Sequence, residues 1–131
     1  MPRVTASIAA ARYRVSIRAG AHELVADEGP GIGGRDEGPG PYDLLLASLG
    51  ACTAITLKMY GERKGWPLGG VDVALSFHHG KRGRIDRRLT LRGDLSDEQR
   101  SRLAEIAERT PVTLTLMSGV DIDTRVDAQE M

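Results

Sequence analysis

The chain has 131 residues, of which 40% are hydrophobic, and its 18 basic side chains equal its 18 acidic ones. This length predicts a single domain over residues 1–131. The balanced charge argues against a protein that attracts nucleic acid or an anionic membrane through its net charge. One cysteine allows no internal disulfide and suits a reducing compartment, so we expect a cytoplasmic protein.

The N-terminal part predicts a small sheet followed by a long loop. Residues 4–26 are typical of three short strands, since Val15 and Ile17 alternate with polar residues and Gly20 suits a turn. Residues 27–41 then contain six glycines and three prolines. Loops of this length in small domains are often functional.

A long helix is predicted next, from Pro41 through Lys64, with Gly65 ending it. Its apolar side chains lie nearly all round the helix axis, so it must be covered on most sides. A chain this short has little with which to cover it, and a partner subunit is the economical solution. The apolar segment 44–57 is interrupted by polar residues and is shorter than the roughly 20 residues that cross a bilayer, so we expect no membrane contact.

The C-terminal half predicts a hairpin, a helix and a strand. Apolar residues alternate over 71–77 and again over 89–91, with a turn between them. Ser96 and Gln99 match a capping box at the start of a helix over 97–109. Alternation over 120–126 predicts a last strand. Strands, helix, strands, helix and strand in that order indicate an α+β fold.

Cys52, in the long helix, is the one candidate for covalent chemistry. Only a thiolate attacks, and the helix N-terminus is too distant to stabilise one, because the dipole effect fades within the first turn. Cys52 therefore needs a cation from elsewhere in the fold to be reactive. Otherwise it is a small buried hydrophobic residue.

Two charged residues near the start of the helix could serve that thiol. Arg35, in the glycine-rich loop, could fold over the sulfur and bind a peroxidic oxygen, or it could be a solvated arginine beside Asp36 and Glu37. Asp43 could orient that arginine, or it could simply complement the helix dipole.

Metal and nucleic-acid sites are not indicated. The three histidines, His22, His78 and His79, are too scattered for a metal spacing. Basic residues gather at 81–88 without an aromatic platform, which is typical of a solvated strand edge rather than a nucleic-acid surface. We expect no cofactor, no metal and no nucleic-acid partner.

The stretch from Gly38 to Thr53, with a proline, two leucines and the Ala-Cys pair at a fairly specific spacing, resembles the OsmC/Ohr family, and so do residues 93–96 and 106–112. With the strand order, the likeness covers nearly the whole chain. The resemblance implies antiparallel sheets wrapped around long central helices in an intertwined homodimer. It also implies a short helix after Thr110, which suits an N-cap position before Pro111.

Peroxidase members of that family use two cysteines, an arginine and a glutamate. By resemblance, Cys52 is the cysteine that attacks peroxide, while the position of the second cysteine is Thr110 and that of the glutamate is Tyr42. Arg35 matches the family's loop arginine only with a gap in the register, and Asp43 matches an acidic position of other OsmC-like members.

We therefore expect a homodimeric thiol peroxidase for organic hydroperoxides. Cys52, Arg35 and Asp43 would be its catalytic residues, Tyr42 and Leu49 would bind substrate, and an external thiol would replace the missing second cysteine. The alternative is a small-molecule binding or redox-sensing protein that keeps the scaffold and has lost the two-cysteine cycle.

Overall fold

The computed structural model describes residues 1–127 and confirms the α+β class. The described elements follow one another along the chain as strands, a long helix, a hairpin and two shorter helices. They are β1 (Val4–Ile8), β2 (Val15–Ala19), β3 (His22–Ala26), α1 (Pro41–Lys64), β4 (Gly70–His78), β5 (Arg84–Arg92), α2 (Asp97–Ala107) and α3 (Pro111–Ser118).

Contacts between residues divide the chain into two compact units. The first unit combines residues 1–48 with 75–87, and the second combines residues 49–74 with the chain from Arg88 onward. Helix α1 and the β4–β5 hairpin each contribute residues to both units. That residues 1–131 act as one domain stays a prediction.

The first unit carries an antiparallel sheet in the order β1-β2-β3. Ala19 pairs with His22, so only two residues connect β2 to β3. Gly20 in that connection has a φ of 62°, a conformation that suits hairpin turns and that glycine adopts without strain. The three predicted strands are confirmed, and Val15 and Ile17 are half-buried on one face of β2, as their alternation with polar residues predicts.

Helix α1 has the bounds predicted from its end signals. Pro41 occupies its first position, and Gly65, with a φ of 69°, ends it. The Trp66 N–H donates to the Gly61 carbonyl oxygen at 2.9 Å and the Gly65 N–H to that of Glu62 at 3.1 Å, which is the Schellman pattern of a helix C-terminus.

In the described part of the chain, the buried residues of α1 form one stripe along the helix. Its buried residues lie four apart, and they are Leu49, Thr53, Leu57 and Gly61. Ile55 and Met59, on another side, remain 59% and 48% exposed. The prediction of apolar residues round the axis is correct, and one copy of the chain leaves part of them in contact with water.

The length argument against a membrane span is wrong for the complete helix. Among residues 1–127, α1 alone is long and apolar enough to cross a bilayer, with 24 residues and a mean hydropathy of 1.4 in its most apolar window. The apolar segment 44–57 is shorter than the helix that contains it, because the helix continues to Lys64. The core helices of soluble proteins meet the same criterion of length and composition.

The core of the second unit is aliphatic. Leu57 and Leu103 are fully buried, and they cluster with Leu68, Leu95 and Ala107. Half-buried side chains of β4, β5 and the segment after α1 pack around them, including Trp66.

Helix α2 begins at the predicted capping box. The Gln99 N–H donates to Ser96 Oγ at 3.1 Å, and the Ser96 N–H donates to Gln99 Oε1 at 2.9 Å. The helix ends at Ala107 rather than at the predicted Arg109. Pro111 explains this, because it holds Thr110 in an extended conformation, and the turn before it tightens to hydrogen bonds three residues apart.

The predicted last strand over 120–126 does not form. Residues 119–127 have no regular secondary structure, and Val120, Ile122 and Val126 are 65%, 83% and 92% exposed. A strand needs a hydrogen-bonded neighbour, and the described sheets are complete as β1-β2-β3 and β4-β5. The alternating pattern is present, but no strand of residues 1–127 pairs with it.

The capping box predicts a specific loss of stability. Ser96→Ala removes the acceptor of the Gln99 N–H and should lower the free energy of unfolding by about 1 kcal/mol. Urea denaturation at fixed protein concentration measures it. Ser101→Ala, on the exposed side of the same helix, is the matched control and should change stability by less than about 0.5 kcal/mol. Equal effects of the two substitutions would contradict the capping role.

Candidate functional site

The glycine-rich loop is organised around one buried carboxylate. Asp27 is 2% exposed, and its Oδ1 accepts a hydrogen bond from the Glu28 N–H at 2.7 Å while its Oδ2 accepts one from the Glu37 N–H at 3.1 Å. The backbone N–H of Arg35 also contributes to stabilising this carboxylate. Residues 27–40 form a loop, as predicted, with one short 3₁₀ turn at Pro30–Ile32, and Pro41 begins α1.

These backbone donors control the ionisation of Asp27. Burial by itself raises the pKa of a carboxyl group, but the N–H groups of Glu28, Glu37 and Arg35 stabilise the anion, and the positive charge of Arg14 adds to them. The net effect is a pKa for Asp27 below its usual value. Asp27 is therefore an anion at neutral pH, although it is buried.

Arg35 is presented by this loop with its side chain free. Its guanidinium is exposed and makes no hydrogen bond or ion pair with any of residues 1–127. The neighbouring Asp36 has a φ of 53°, in the left-handed region, so the chain turns sharply at this point. In this chain Arg35 is thus a solvated arginine beside Asp36 and Glu37, and its contact with Cys52 stays a prediction.

Asp43 has a local role at the start of α1. Its Oδ2 accepts a hydrogen bond from the Gly40 N–H at 3.0 Å, which satisfies a backbone donor that the helix leaves unpaired. The structure does not pair Asp43 with Arg35, although both belong to the first unit. Its proposed role as an orienting acid is therefore not part of the observed geometry.

Tyr42 lies in an aromatic cluster that the sequence did not reveal. Its ring centroid is 4.8 Å from that of Phe77 and 4.9 Å from that of His79, and Phe77 and His79 are 4.7 Å apart. All three residues belong to the first unit. Tyr42 is 35 positions from Phe77 and 37 positions from His79 in the sequence, so no local pattern indicates the cluster.

Cys52 is a free thiol of intermediate exposure in the second unit. It is neither sealed in a core nor fully open to water. Its neighbour Thr53 is fully buried, and the Thr53 hydroxyl donates to the Leu49 carbonyl oxygen at 2.7 Å. Leu49 itself is 4% exposed, so its side chain, which we expected to bind substrate, is packed away from solvent in this chain.

Thr110 is fully buried and tied to a second hydroxyl. Its Oγ1 lies 2.6 Å from Thr113 Oγ1, which in turn donates to the Ala107 carbonyl oxygen at 3.3 Å. Thr110 occupies the N-cap position of α3, as predicted, but its side chain makes no capping hydrogen bond. The hydroxyl pair with Thr113 replaces that bond.

The candidate residues thus divide between the two units. Arg35, Tyr42 and Asp43 belong to the first, and Leu49, Cys52 and Thr110 belong to the second. Within residues 1–127, no three histidine, cysteine, aspartate or glutamate side chains gather closely enough to hold a metal ion.

The chain matches a protein-family model. The family model described as OsmC-like protein matches residues 34–125, a segment that includes every candidate residue named above. No sequence among the curated proteins matches the chain.

Solved structures share the fold at low sequence identity. An OsmC-like protein from Mycoplasma pneumoniae is 17% identical with a TM-score of 0.78, and the match covers 89% of this chain and 87% of that one. The organic hydroperoxide resistance protein OhrB of Bacillus subtilis is 20% identical with a TM-score of 0.63, over 92% and 93% of the two chains. An organic hydroperoxide resistance protein from Elizabethkingia anophelis is 21% identical with a TM-score of 0.67, over 88% and 87%. These likenesses show that the chain has the fold of these proteins, as the sequence resemblance implied.

The buried carboxylate predicts a pH-dependent stability difference. Because the pKa of Asp27 is lower in the folded protein, its contribution is fully present above the ordinary aspartate value of about 3.9 and is lost as the pH falls through the folded value. Asp27→Asn should therefore lower the Tm at pH 7, and the difference from wild type should decline only below about pH 3.9. Calorimetry between pH 7 and pH 3 measures it.

Asp36→Asn is the matched control, since it removes the same charge from an exposed side chain of the same loop, and asparagine tolerates a positive φ. Its Tm should follow that of wild type at every pH. A Tm difference for Asp27→Asn that stayed constant down to pH 3 would contradict the ionised role of Asp27.

Proposed function

The chain belongs to the OsmC-like protein family, and from that premise we propose that it is a thiol-dependent peroxidase that reduces organic hydroperoxides through Cys52. The observation that carries the proposal is the state of Cys52, a free thiol within the family match that solvent partly reaches. The names of the structural relatives from Bacillus subtilis and Elizabethkingia anophelis, which refer to organic hydroperoxide resistance, support the substrate class.

In the proposed reaction, the Cys52 thiolate attacks the distal oxygen of the hydroperoxide. The sulfur–oxygen bond forms as the oxygen–oxygen bond breaks, and the leaving alkoxide takes up a proton and departs as an alcohol. The sulfur is oxidised to a sulfenic acid. One external thiol then condenses with it to a mixed disulfide, releasing water, and a second external thiol reduces that disulfide and regenerates Cys52.

A cation is needed in the first step. Cys52 is the twelfth residue of α1, beyond the reach of the positive helix N-terminus. Arg35 is the candidate, because its guanidinium is exposed and has no acidic partner among residues 1–127. We propose that Arg35, from the same or the partner subunit, stabilises both the thiolate and the charge that develops on the departing oxygen.

Asp43 and Tyr42 are proposed to assist at the helix start. Asp43 uses only Oδ2 for the Gly40 N–H, so its other oxygen can orient Arg35. The ring of Tyr42, with Phe77 and His79, offers an apolar surface to the organic part of a hydroperoxide.

We also propose that the working form is a cytoplasmic homodimer. Large apolar side chains of the second unit are exposed in the single chain, among them Ile55 and Met59 on α1 and Leu114 and Met117 on α3. Burying such side chains against a second copy is favourable, at about 25 cal/mol per Å² of apolar surface. A reducing compartment would supply the external thiol.

A binding or redox-sensing protein is the second candidate. The buried hydroxyl of Thr110 at the position of the family's second cysteine favours it, because this chain has no internal thiol to resolve a sulfenic acid. The rate at which Cys52 reacts with cumene hydroperoxide at pH 7 separates the two. A rate well above that of free cysteine supports catalysis, and a rate equal to it supports a binding protein.

The first prediction for the peroxidase concerns Cys52 and Arg35. Cys52→Ser should abolish thiol-dependent consumption of cumene hydroperoxide, and Arg35→Ala should lower it on the order of 100-fold, the usual effect of losing one group that stabilises developing charge. Alcohol formation with excess dithiothreitol measures both.

Arg82→Ala, which removes another exposed arginine of the first unit, is the matched control and should leave the rate unchanged. Equal inactivity of the wild type and Cys52→Ser would refute the peroxidase.

A second prediction concerns Thr110. Thr110→Cys is close to isosteric and places a thiol where the family's second cysteine falls. After one equivalent of hydroperoxide, this variant should lose two hydrogens and form an internal disulfide, whereas wild type should give a sulfenic acid that dimedone traps. Mass spectrometry under non-reducing conditions measures both products.

Thr115→Cys, at an exposed position of the same helix, is the control and should not form the disulfide. A Thr110→Cys variant that also gave only the dimedone adduct would show that residue 110 lies out of reach of Cys52.

A further inference from the structure

We propose that Asp27 is a positioning residue for Arg35: its buried carboxylate holds the glycine-rich loop in one conformation, so that the guanidinium is presented at a defined place. The effect of Asp27 on the reaction of Cys52 rests on the proposed function. The ordering of the loop by Asp27 is a separate claim and is tested separately.

The carboxylate joins parts of the loop that are distant in sequence. Oδ1 binds the N–H of Glu28 at the start, and Oδ2 binds the N–H of Glu37, ten residues from Asp27. The Asp27 N–H donates to the Pro39 carbonyl oxygen at 3.1 Å, so main chain and side chain of the same residue close the loop together. Arg35 lies between these attachment points.

The backbone beside Arg35 is closely packed on the Asp27 segment. The Asp36 N–H donates to the Glu28 carbonyl oxygen at 3.1 Å. A Cβ on Gly34 would collide with that same carbonyl oxygen and lie 2.9 Å from Asp27 Oδ1. Residues 34 and 36 are thus both held against residues 27 and 28, and the main chain of Arg35 has little freedom.

The side chain of Arg35, unlike its main chain, is not held by neighbouring residues in the described part of the chain. It is exposed and makes no hydrogen bond or ion pair within residues 1–127. A long side chain on a mobile loop would lose much conformational entropy on reaching a defined position. With its main chain already held, Arg35 has only its side-chain torsions left to order, and a preorganised cation stabilises developing charge more effectively.

An anion is required at residue 27. An ionised carboxylate only accepts hydrogen bonds, which matches the N–H groups that converge on it. Asparagine has the same shape, but its NH₂ group would face one of those N–H groups and leave it unsatisfied. The other charged groups nearby, Arg14 and Glu37, pair with each other at 3.9 Å and do not replace this acceptor.

The first test measures the loop without reference to activity. In the full chain, Asp27→Asn should speed amide hydrogen exchange over residues 28–40 on the order of tenfold, since the loop opens more often. Mass spectrometry of that segment measures it, and helix α2 in the same sample is the internal reference and should not change. Asp36→Asn should exchange at the wild-type rate.

Gly34→Ala is a second, independent perturbation. It displaces the same backbone by collision and keeps the carboxylate. If Asp27→Asn failed to fold, which exchange in α2 would reveal, faster exchange over 28–40 in Gly34→Ala would support the inference. Wild-type exchange in the loop of either folded variant would overturn it.

The second test asks whether Asp27 acts through Arg35. The rate of Cys52 oxidation by cumene hydroperoxide is compared for Asp27→Asn, Arg35→Ala and the double variant. We expect each single variant to be slower than wild type and the double variant to equal Arg35→Ala, because a loop without the guanidinium has nothing to position. A double variant slower by the product of the two single effects would show that Asp27 does not act through Arg35.

The two tests distinguish a failure of the proposed peroxidase from a failure of the inference about Asp27. If the wild type is inert with hydroperoxide while Asp27→Asn still frees the loop, the proposed peroxidase is wrong and the ordering role of Asp27 remains. If the wild type is active and Asp27→Asn changes neither exchange nor rate, the peroxidase remains and this inference is wrong.

Discussion

The burial of apolar surface around α1 is the constraint on which the rest of the structure depends. This helix has 24 residues, and its apolar side chains lie nearly all round the axis. Among residues 1–127, its buried stripe consists of Leu49, Thr53, Leu57 and Gly61. Leu57 of that stripe belongs to the leucine core of the second unit. Cys52 lies in the middle of the same helix, so the residues that cover α1 also determine how far its thiol is exposed to solvent.

Local signals predicted the helices well. Pro41 and Gly65 defined both ends of α1, and the reciprocal hydrogen bonds of Ser96 and Gln99 started α2, because each of these signals acts through neighbouring residues. The end of α2 moved by two residues because Pro111 restricts the residue before it. Such signals can be recognised in the sequence alone, because they do not depend on tertiary contacts.

Features that depend on distant residues could not be predicted in this way. The strand predicted from the alternation over 120–126 is wrong, because a strand forms only beside a neighbour and the described chain provides none. The contact of Tyr42 with the hairpin joins residues far apart in sequence. Cys52 and Arg35 could be named as candidates, whereas the role of Asp27 required the folded loop, because one aspartate before a glycine-rich segment looks like any solvated turn residue.

The hydroxyl pair of Thr110 and Thr113 has a consequence for how the proposed peroxidase would behave in a cell. Hydroxyls at this position do not exchange with a sulfenic acid, so the oxidised sulfur waits for a thiol that diffuses in from outside. Under the proposed chemistry, the lifetime of the oxidised state would then vary inversely with the concentration of small thiols. Such a protein would turn over quickly in a well-reduced cell and accumulate in its oxidised form when the thiol pool is depleted.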